Sequence, residues 1–277
     1  MSILTISREY GSGGREVGHA VAERLNYDYI DKEQILLEMR AHGKQWEKWA
    51  QGLDEHAPTI WERFDWSFKG FGALLRSIIL EHAVRDDVVI MGRGGHIVLA
   101  DIPYAYRIRV VAPLKSRLER IMIRESVDYD TARWLAEKTD KDRRQFFKAM
   151  FGSNWSSAKN YDRIFDSERK PIEKIVDSVC ETLVNLQHKK NPDIEASLRV
   201  RSAAAKIEAG LLTYPFLFVN AIEVVVDGKD LILKGVVRDP SHRKRVEDVA
   251  RRLAGDLPLI INLKYRGAQA LLEERIF

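Results

Sequence analysis

A chain of 277 residues with 45% apolar and 31% charged side chains is long enough for two domains, and that balance excludes disordered, collagen-like and coiled-coil architectures. Its net charge is +4, and the small basic excess divides evenly on the two sides of Asn191. With no basic tail or clustered arm, this charge permits phosphate ligands but does not argue for nucleic acid.

The first predicted element is Ile3-Leu4-Thr5-Ile6, a strand that ends in Ser7-Arg8-Glu9-Tyr10-Gly11-Ser12-Gly13-Gly14. After the glycines, Val17, Ala20, Val21, Ala22 and Leu25 mark one face of a helix. Further strands are predicted at Tyr27–Ile30, closing on Asp31, and at Val88–Met91, running into Gly92-Arg93-Gly94-Gly95. Tyr106–Val111 and Arg163–Phe165 complete the set. Helical patterns separate the strands, so the fold class is α/β with a parallel sheet. Ligands on such sheets bind at the carboxyl ends of the strands, and those ends carry Arg8 to Gly14, Asp31 and Gly92 to Gly95. Four of the six tryptophans lie between Trp46 and Trp66 in an otherwise polar stretch. Two short helices that pack these rings on the sheet edge are expected there; the alternative is a mobile segment that covers the substrate.

The pattern changes after His188-Lys189-Lys190-Asn191-Pro192. Leu198 to Leu212 is helical, and Ile222–Val226 and Leu231–Val237 form a hairpin across Asp227-Gly228. Ser241 to Leu253 is a helix and Leu259 to Leu263 a last strand. Residues 1–190 are therefore expected as one domain and 198–277 as a second, small α+β domain. The single cysteine, Cys180, sits on a helical apolar face, which leaves no disulfide and no Cys-based zinc site. Arg8 and Glu9 interrupt the N-terminal apolar run, and Pro215, Asn220 and Glu223 break the longest one. Neither reads as a signal peptide or a membrane span, so a cytoplasmic protein without stable membrane insertion is expected.

Strand, glycine turn and helix together make an anion site. Backbone N–H groups and the helix dipole converge on a bound phosphate, and Arg8 and Arg15 flank the turn. Neither common phosphate fingerprint is complete. Glu16 stands where a dinucleotide turn has its third glycine, and Gly14 and Arg15 stand where a Walker A loop has lysine and a hydroxyl. Arg117, Arg120 and Arg124 recur at helical spacing and read as a solvated face. Asp31 reads either as a ligand for a sugar hydroxyl or cation, or as a helix N-cap.

Ile3 to Glu16 resembles the opening of the cytidylate kinase-like family, and further segments match in order: Tyr29-Ile30-Asp31, Gly92 to Asp101, Asp140-Lys141-Asp142-Arg143-Arg144 and Tyr161 to Ser167. The resemblance covers about residues 1–187 and implies a P-loop nucleoside monophosphate kinase-like domain. It implies ATP, with Mg2+, as donor. Arg8, Gly11, Ser12, Gly13, Gly14 and Arg15 would then surround the donor phosphates, and Arg93 with Asp31 would hold the acceptor. Arg143 and Arg144 would close over the transferring group as a lid, with Arg15 beside it. In the absence of lysine at Gly14, Arg8 or Arg15 is expected to supply the charge, and Ser12 or Asp31 to reach the metal. The expected function is ATP-dependent phosphorylation of a nucleoside monophosphate such as CMP. The rival is a non-catalytic nucleotide sensor whose second domain reports binding. Ile222 to Val237, Arg243 to Leu253 and Leu259 to Leu263 resemble a BON domain, which implies a lipid or small ligand there. His242-Arg243-Lys244-Arg245 would suit an anionic surface, although a helix's exposed first turn is the plainer reading.

Overall fold

The structure, a computed structural model, describes residues 2–43, 45–46, 66–215, 217, 219 and 221–266. The chain divides into two compact units, Met1–Thr59 with Arg85–Asn191, and Ile60–Val84 with Pro192–Phe277. The chain thus passes from one unit to the other at Asn191–Pro192, and the second unit also takes in a segment that the sequence assigns to the first.

In the first unit, β1 (Ile3–Arg8), α1 (Gly14–Leu25), β2 (Asp28–Ile30) and α2 (Lys32–Ala41) come first in the chain. After α3 (Trp66–Arg85), which the second unit claims, follow β3 (Val88–Met91), the one-turn α4 (Gly95–Val98) and β4 (Ala105–Val111). Then come α5 (Leu114–Glu125), α6 (Tyr129–Phe151), β5 (Arg163–Asp166) and α7 (Ile172–Leu186). The five strands form one sheet in the order β2-β3-β1-β4-β5, every pair parallel. A parallel sheet is covered on both faces, which is why its central strands read as continuous apolar runs. Leu4, Ile6, Val89, Ile108 and Val110 pack against Val17 and Val21 of α1 and against Ile175, Val179 and Leu183 of α7. Cys180 lies in the same core, as its spacing predicts.

The second unit contains α3, α8 (Pro192–Thr213), β6 (Ile222–Asp227), β7 (Asp230–Val237), α9 (Pro240–Ala254) and β8 (Leu259–Tyr265). Its sheet runs β6-β7-β8, with the predicted hairpin antiparallel and β7 parallel to β8. Val200, Ile207 and Leu211 of α8 and Val246 and Ala250 of α9 pack on Leu231, Leu233 and Leu263. The run His242 to Arg245 is not one basic surface. His242 is buried, its Nε2 2.7 Å from the carbonyl of Leu217 and its Nδ1 accepting from Arg238 N–H. Arg243 pairs with Glu247 at 2.7 Å. One turn of amphipathic helix therefore splits the run between core and solvent. Among the described residues no helix is long and apolar enough to cross a membrane. Of the tryptophan-rich stretch, Trp46 is fully buried, and most of the rest lies outside the described residues.

Candidate functional site

A cavity of about 270 Å³ opens at the carboxyl ends of β1 and β3, the place where a parallel sheet leaves its crevice. Ser7 and Arg8 line it from β1, Gly92, Arg93 and Gly94 from the turn after β3, and Arg143, Phe146 and Phe147 from α6. Lys32, at the start of α2, closes one side.

The turn after β3 is built to aim Arg93. Gly92, Arg93 and Gly94 have φ of 76°, 51° and 78°, three left-handed residues in succession. Such a conformation is ordinary for glycine but costs a side-chain-bearing residue about 1–3 kcal/mol. Neither glycine has room for a side chain: a Cβ on Gly92 would lie 2.5 Å from Arg8 Nη1, and one on Gly94 would overlap the ring of Phe151. The Arg93 guanidinium lies over the Phe146 ring, 5.5 Å from its centre.

Asp142, which lines the cavity, pairs with Lys138 at 3.2 Å, and two carboxylates beside it are engaged by arginines. Glu9 accepts from Arg109 at 3.3 Å and lies 3.7 Å from Arg117. Asp140 accepts from Tyr10 N–H at 2.9 Å and from Arg117 Nη1 at 2.7 Å. Arg109, almost fully buried, also donates to the carbonyl of Trp155 at 2.9 Å and stacks on its ring at 3.9 Å. Trp155 Nε1 in turn donates to Ser7 Oγ at 2.8 Å. This network fixes the cavity wall.

The cavity lining is positive on balance, with Arg8, Lys32, Arg93, Lys138 and Arg143 against Asp142. Among the described residues the Arg8 guanidinium makes no hydrogen bond and no ion pair, and burial, then repulsion from Arg93 and Arg15, hold its pKa below the ordinary arginine value. Arg143 donates to the Arg8 carbonyl at 2.8 Å and lies 3.7 Å from Asp140. Burial and the nearby Arg8 push its pKa down to about 9, so it stays charged at neutral pH. Three guanidiniums that repel one another across one cavity are stabilised by an anion between them, and a phosphate offers paired acceptors to each fork.

The glycine turn stands beside this cavity. Gly13 is the left-handed N-cap of α1, and among the described residues no side chain caps that helix. Its first N–H groups are thus free of side-chain acceptors, as an anion site requires. The other predicted residues divide. Arg8, Arg93 and Arg143 come together. Arg144 is exposed and does not line the cavity. Arg15 is also exposed, its Nε directed to His19 Nε2 at 3.4 Å. Asp31 is the N-cap of α2, accepting from Gln34 N–H at 3.2 Å. Ser12 is buried and its Oγ donates to the Val110 carbonyl at 3.0 Å, which turns it from any metal. Arg117 and Arg120 are not a solvated face. They donate to the carbonyls of Tyr10 and Gly11, at 3.1 and 3.5 Å, and clamp the turn from α5. Arg124 alone of the three is exposed. Among the described residues no group of three or more His, Cys, Asp or Glu side chains could hold a metal ion. The side chains at the turn therefore do not fit a protein-held magnesium.

Sequence reasoning passed over Glu9, Arg109 and Trp155. The signal was present for Arg109: in a strand of period two, a charged residue between Ile108 and Val110 must meet a charge inside.

The sequence pattern of the cytidylate kinase-like family matches residues 3–169. The chain belongs to the cytidylate kinase-like family. Residues 200–267 match the BON domain. A cytidylate kinase of Ignicoccus hospitalis is 26% identical over 189 residues, which cover 66% of this chain and 100% of that protein. A uronate isomerase of Corynebacterium glutamicum is 32% identical over 100 residues, but the match spans 36% of this chain and 19% of the isomerase. Among solved structures, an uncharacterized protein of Eubacterium ventriosum is 24% identical, with a TM-score of 0.51 over 66% of this chain and 99% of its own. That likeness is one of fold. Gly92-Arg93 and Arg143, two of the segments that carry the family resemblance, both line the cavity.

His96 forms the cavity's neutral end. It is stacked between Phe147 and Tyr161, at 4.9 and 4.7 Å, and burial, then Arg107 and Arg109, push its pKa down to about 3. Between that value and the ordinary 6.5 the unfolded chain binds a proton that the folded chain refuses. Stability therefore falls as pH drops below about 6.5, by about 2 kcal/mol at pH 5, and levels out near pH 3. Urea unfolding at pH 7.5 and pH 5 measures this loss. His96→Phe keeps the stack and is expected to remove most of it; an unchanged loss would place the titrating group elsewhere.

Proposed function

We propose that this chain transfers the terminal phosphoryl group of ATP to a nucleoside monophosphate, with CMP first among acceptors. The cavity carries the reading: Arg8, Arg93 and Arg143 meet there beside an uncapped glycine turn, in a member of the cytidylate kinase-like family. Phosphoryl transfer asks little covalent chemistry of a protein; it asks for position and for positive charge around the oxygens in flight. Arg93 would fork onto the acceptor's phosphate, and the first turn of α1 would receive the donor's. The aromatic wall of Phe146, Phe147 and Trp155 would exclude water from the transfer. ATP is a substrate here, and a magnesium ion carried by its phosphates would keep water and phosphate oxygens as ligands. We read residues 198–277 as an accessory domain in the same cytoplasmic protein.

Arg93→Lys tests the acceptor site. Loss of the fork is expected to weaken CMP binding by about 1.5–3 kcal/mol and to leave ATP affinity alone. Calorimetric titration with each nucleotide separates the two. Equal losses for both would make Arg93 a structural residue. Two features favour the second reading, a nucleotide sensor: position 14 carries no lysine, and the Ser12 hydroxyl is engaged within the fold. A sensor would bind ATP without turning it over.

A further inference from the structure

Glycine at position 14 has a steric cause. Its φ is not left-handed, so the backbone would accept a side chain. The space would not. A Cβ there would lie 2.5 Å from Arg8 Cβ, 3.1 Å from Arg8 Cγ and 3.3 Å from Val110 Cβ. The stem of Arg8 fills the room in which a lysine at position 14 would start. At its other end, Arg8 Nη1 rests on Gly92, 2.5 Å from where that residue's Cβ would be. One side chain thus runs from the glycine turn to the segment that carries Arg93.

We infer that Arg8 is the catalytic cation of this site, its guanidinium touching the phosphoryl group in transfer and replacing the absent lysine at position 14. The inference rests on the kinase reading and settles which arginine supplies the charge. Arg15 is exposed and directed at His19, away from this role. In the transfer, an oxygen of the acceptor's phosphate forms a bond to the γ-phosphorus of ATP. The bond from that phosphorus to the β,γ-bridging oxygen breaks, and ADP leaves with its electron pair. Arg8 neither gains nor loses a proton; it stabilises the charge that gathers on the oxygens. Its position fits: it is half-buried, lines the cavity and faces Arg93 and Arg143 without an ionic partner among the described residues.

Two variants test this in the full chain. Arg8→Gln keeps the Cβ–Cγ stem over Gly14 and removes the guanidinium, with its charge and its reach to Gly92. It is expected to lower kcat with ATP and CMP about a hundredfold, with KM for CMP changed less than about threefold. The double variant Arg8→Gly with Gly14→Lys empties the space and returns a cation to position 14. It is expected to recover about tenfold or more over Arg8→Gln, a rescue that a merely structural arginine would not show. A kcat within about threefold of the parent for Arg8→Gln overturns the inference, as does a folded double variant with no recovery. If the double variant fails to fold, Arg8→Gln alone decides. If the parent chain turns over no nucleoside monophosphate, the kinase reading has failed, and calorimetry with ATP judges Arg8 separately. There, a loss of about tenfold or more in ATP affinity for Arg8→Gln supports contact with phosphate, and unchanged affinity overturns it.

Discussion

Arg143→Ala is expected to slow phosphoryl transfer about a hundredfold or more, the scale of one preorganised charge lost from a transition state. Arg144→Ala is expected to stay within about twofold, as surface substitutions do. The two are neighbours in sequence and read as a pair in a charged lid, but α6 separates them. Arg143 turns onto the Arg8 carbonyl and lines the cavity, while Arg144 points to solvent. A helix advances its side chains by about 100° per residue, which here leaves Arg143 on the cavity side and Arg144 in solvent. Steady-state ADP release with ATP and CMP compares them. Equal losses would show that the site includes Arg144 and that the cavity is not where transfer occurs.

Residues 1–190 expressed alone are expected to be insoluble or molten, with bound dye and lost near-ultraviolet dichroism. The chain order suggests a clean cut after Lys190, since the apolar patterns on the two sides are separate. The structure groups Ile60–Val84 with Pro192–Phe277, so the fragment would carry α3 without the rest of its unit. That helix buries Phe68, Phe71, Leu74, Leu75, Ile78, Ile79 and Leu80, around nearly its whole circumference. Exposing even three such side chains costs about 5–9 kcal/mol, comparable with the whole stability of a domain. Circular dichroism and dye binding on the purified fragment measure the outcome. A cooperative melt at the temperature of the full chain would contradict the grouping.

The elements legible in the sequence were those fixed by local pattern. All five strands of the parallel sheet fall within a residue or two of their predicted bounds; the signal is plainest in β1 and β3, which are buried and read as near-continuous apolar runs. The hairpin across Asp227-Gly228 is equally local: Gly228 has φ of 60°, the sign that such a turn needs. The placement of α3 was not legible. A helix apolar on every side announces that it is buried but not against what. In the site, Arg8 and Arg93 were legible because each stands at a strand's carboxyl end, Arg93 between two glycines and Arg8 three residues before Gly11. The roles of Arg117 and Arg120 were not: helical spacing describes their helix, whereas their partners are carbonyls more than a hundred residues earlier in the chain. Asp31 and Ser12 show the same limit from the other side. Each has the chemistry of a ligand, and each spends it on the backbone, as small polar side chains commonly do.

The central claim is that this chain phosphorylates a nucleoside monophosphate at the cavity of Arg8, Arg93 and Arg143. The most direct measurement is ADP release by the purified full chain with ATP, magnesium and each of the common nucleoside monophosphates. Release that depends on the monophosphate, greatest with CMP and about a hundredfold or more slower in Arg143→Ala, is the predicted result. Calorimetric binding of ATP with no release for any monophosphate would contradict it and leave the sensor reading in its place.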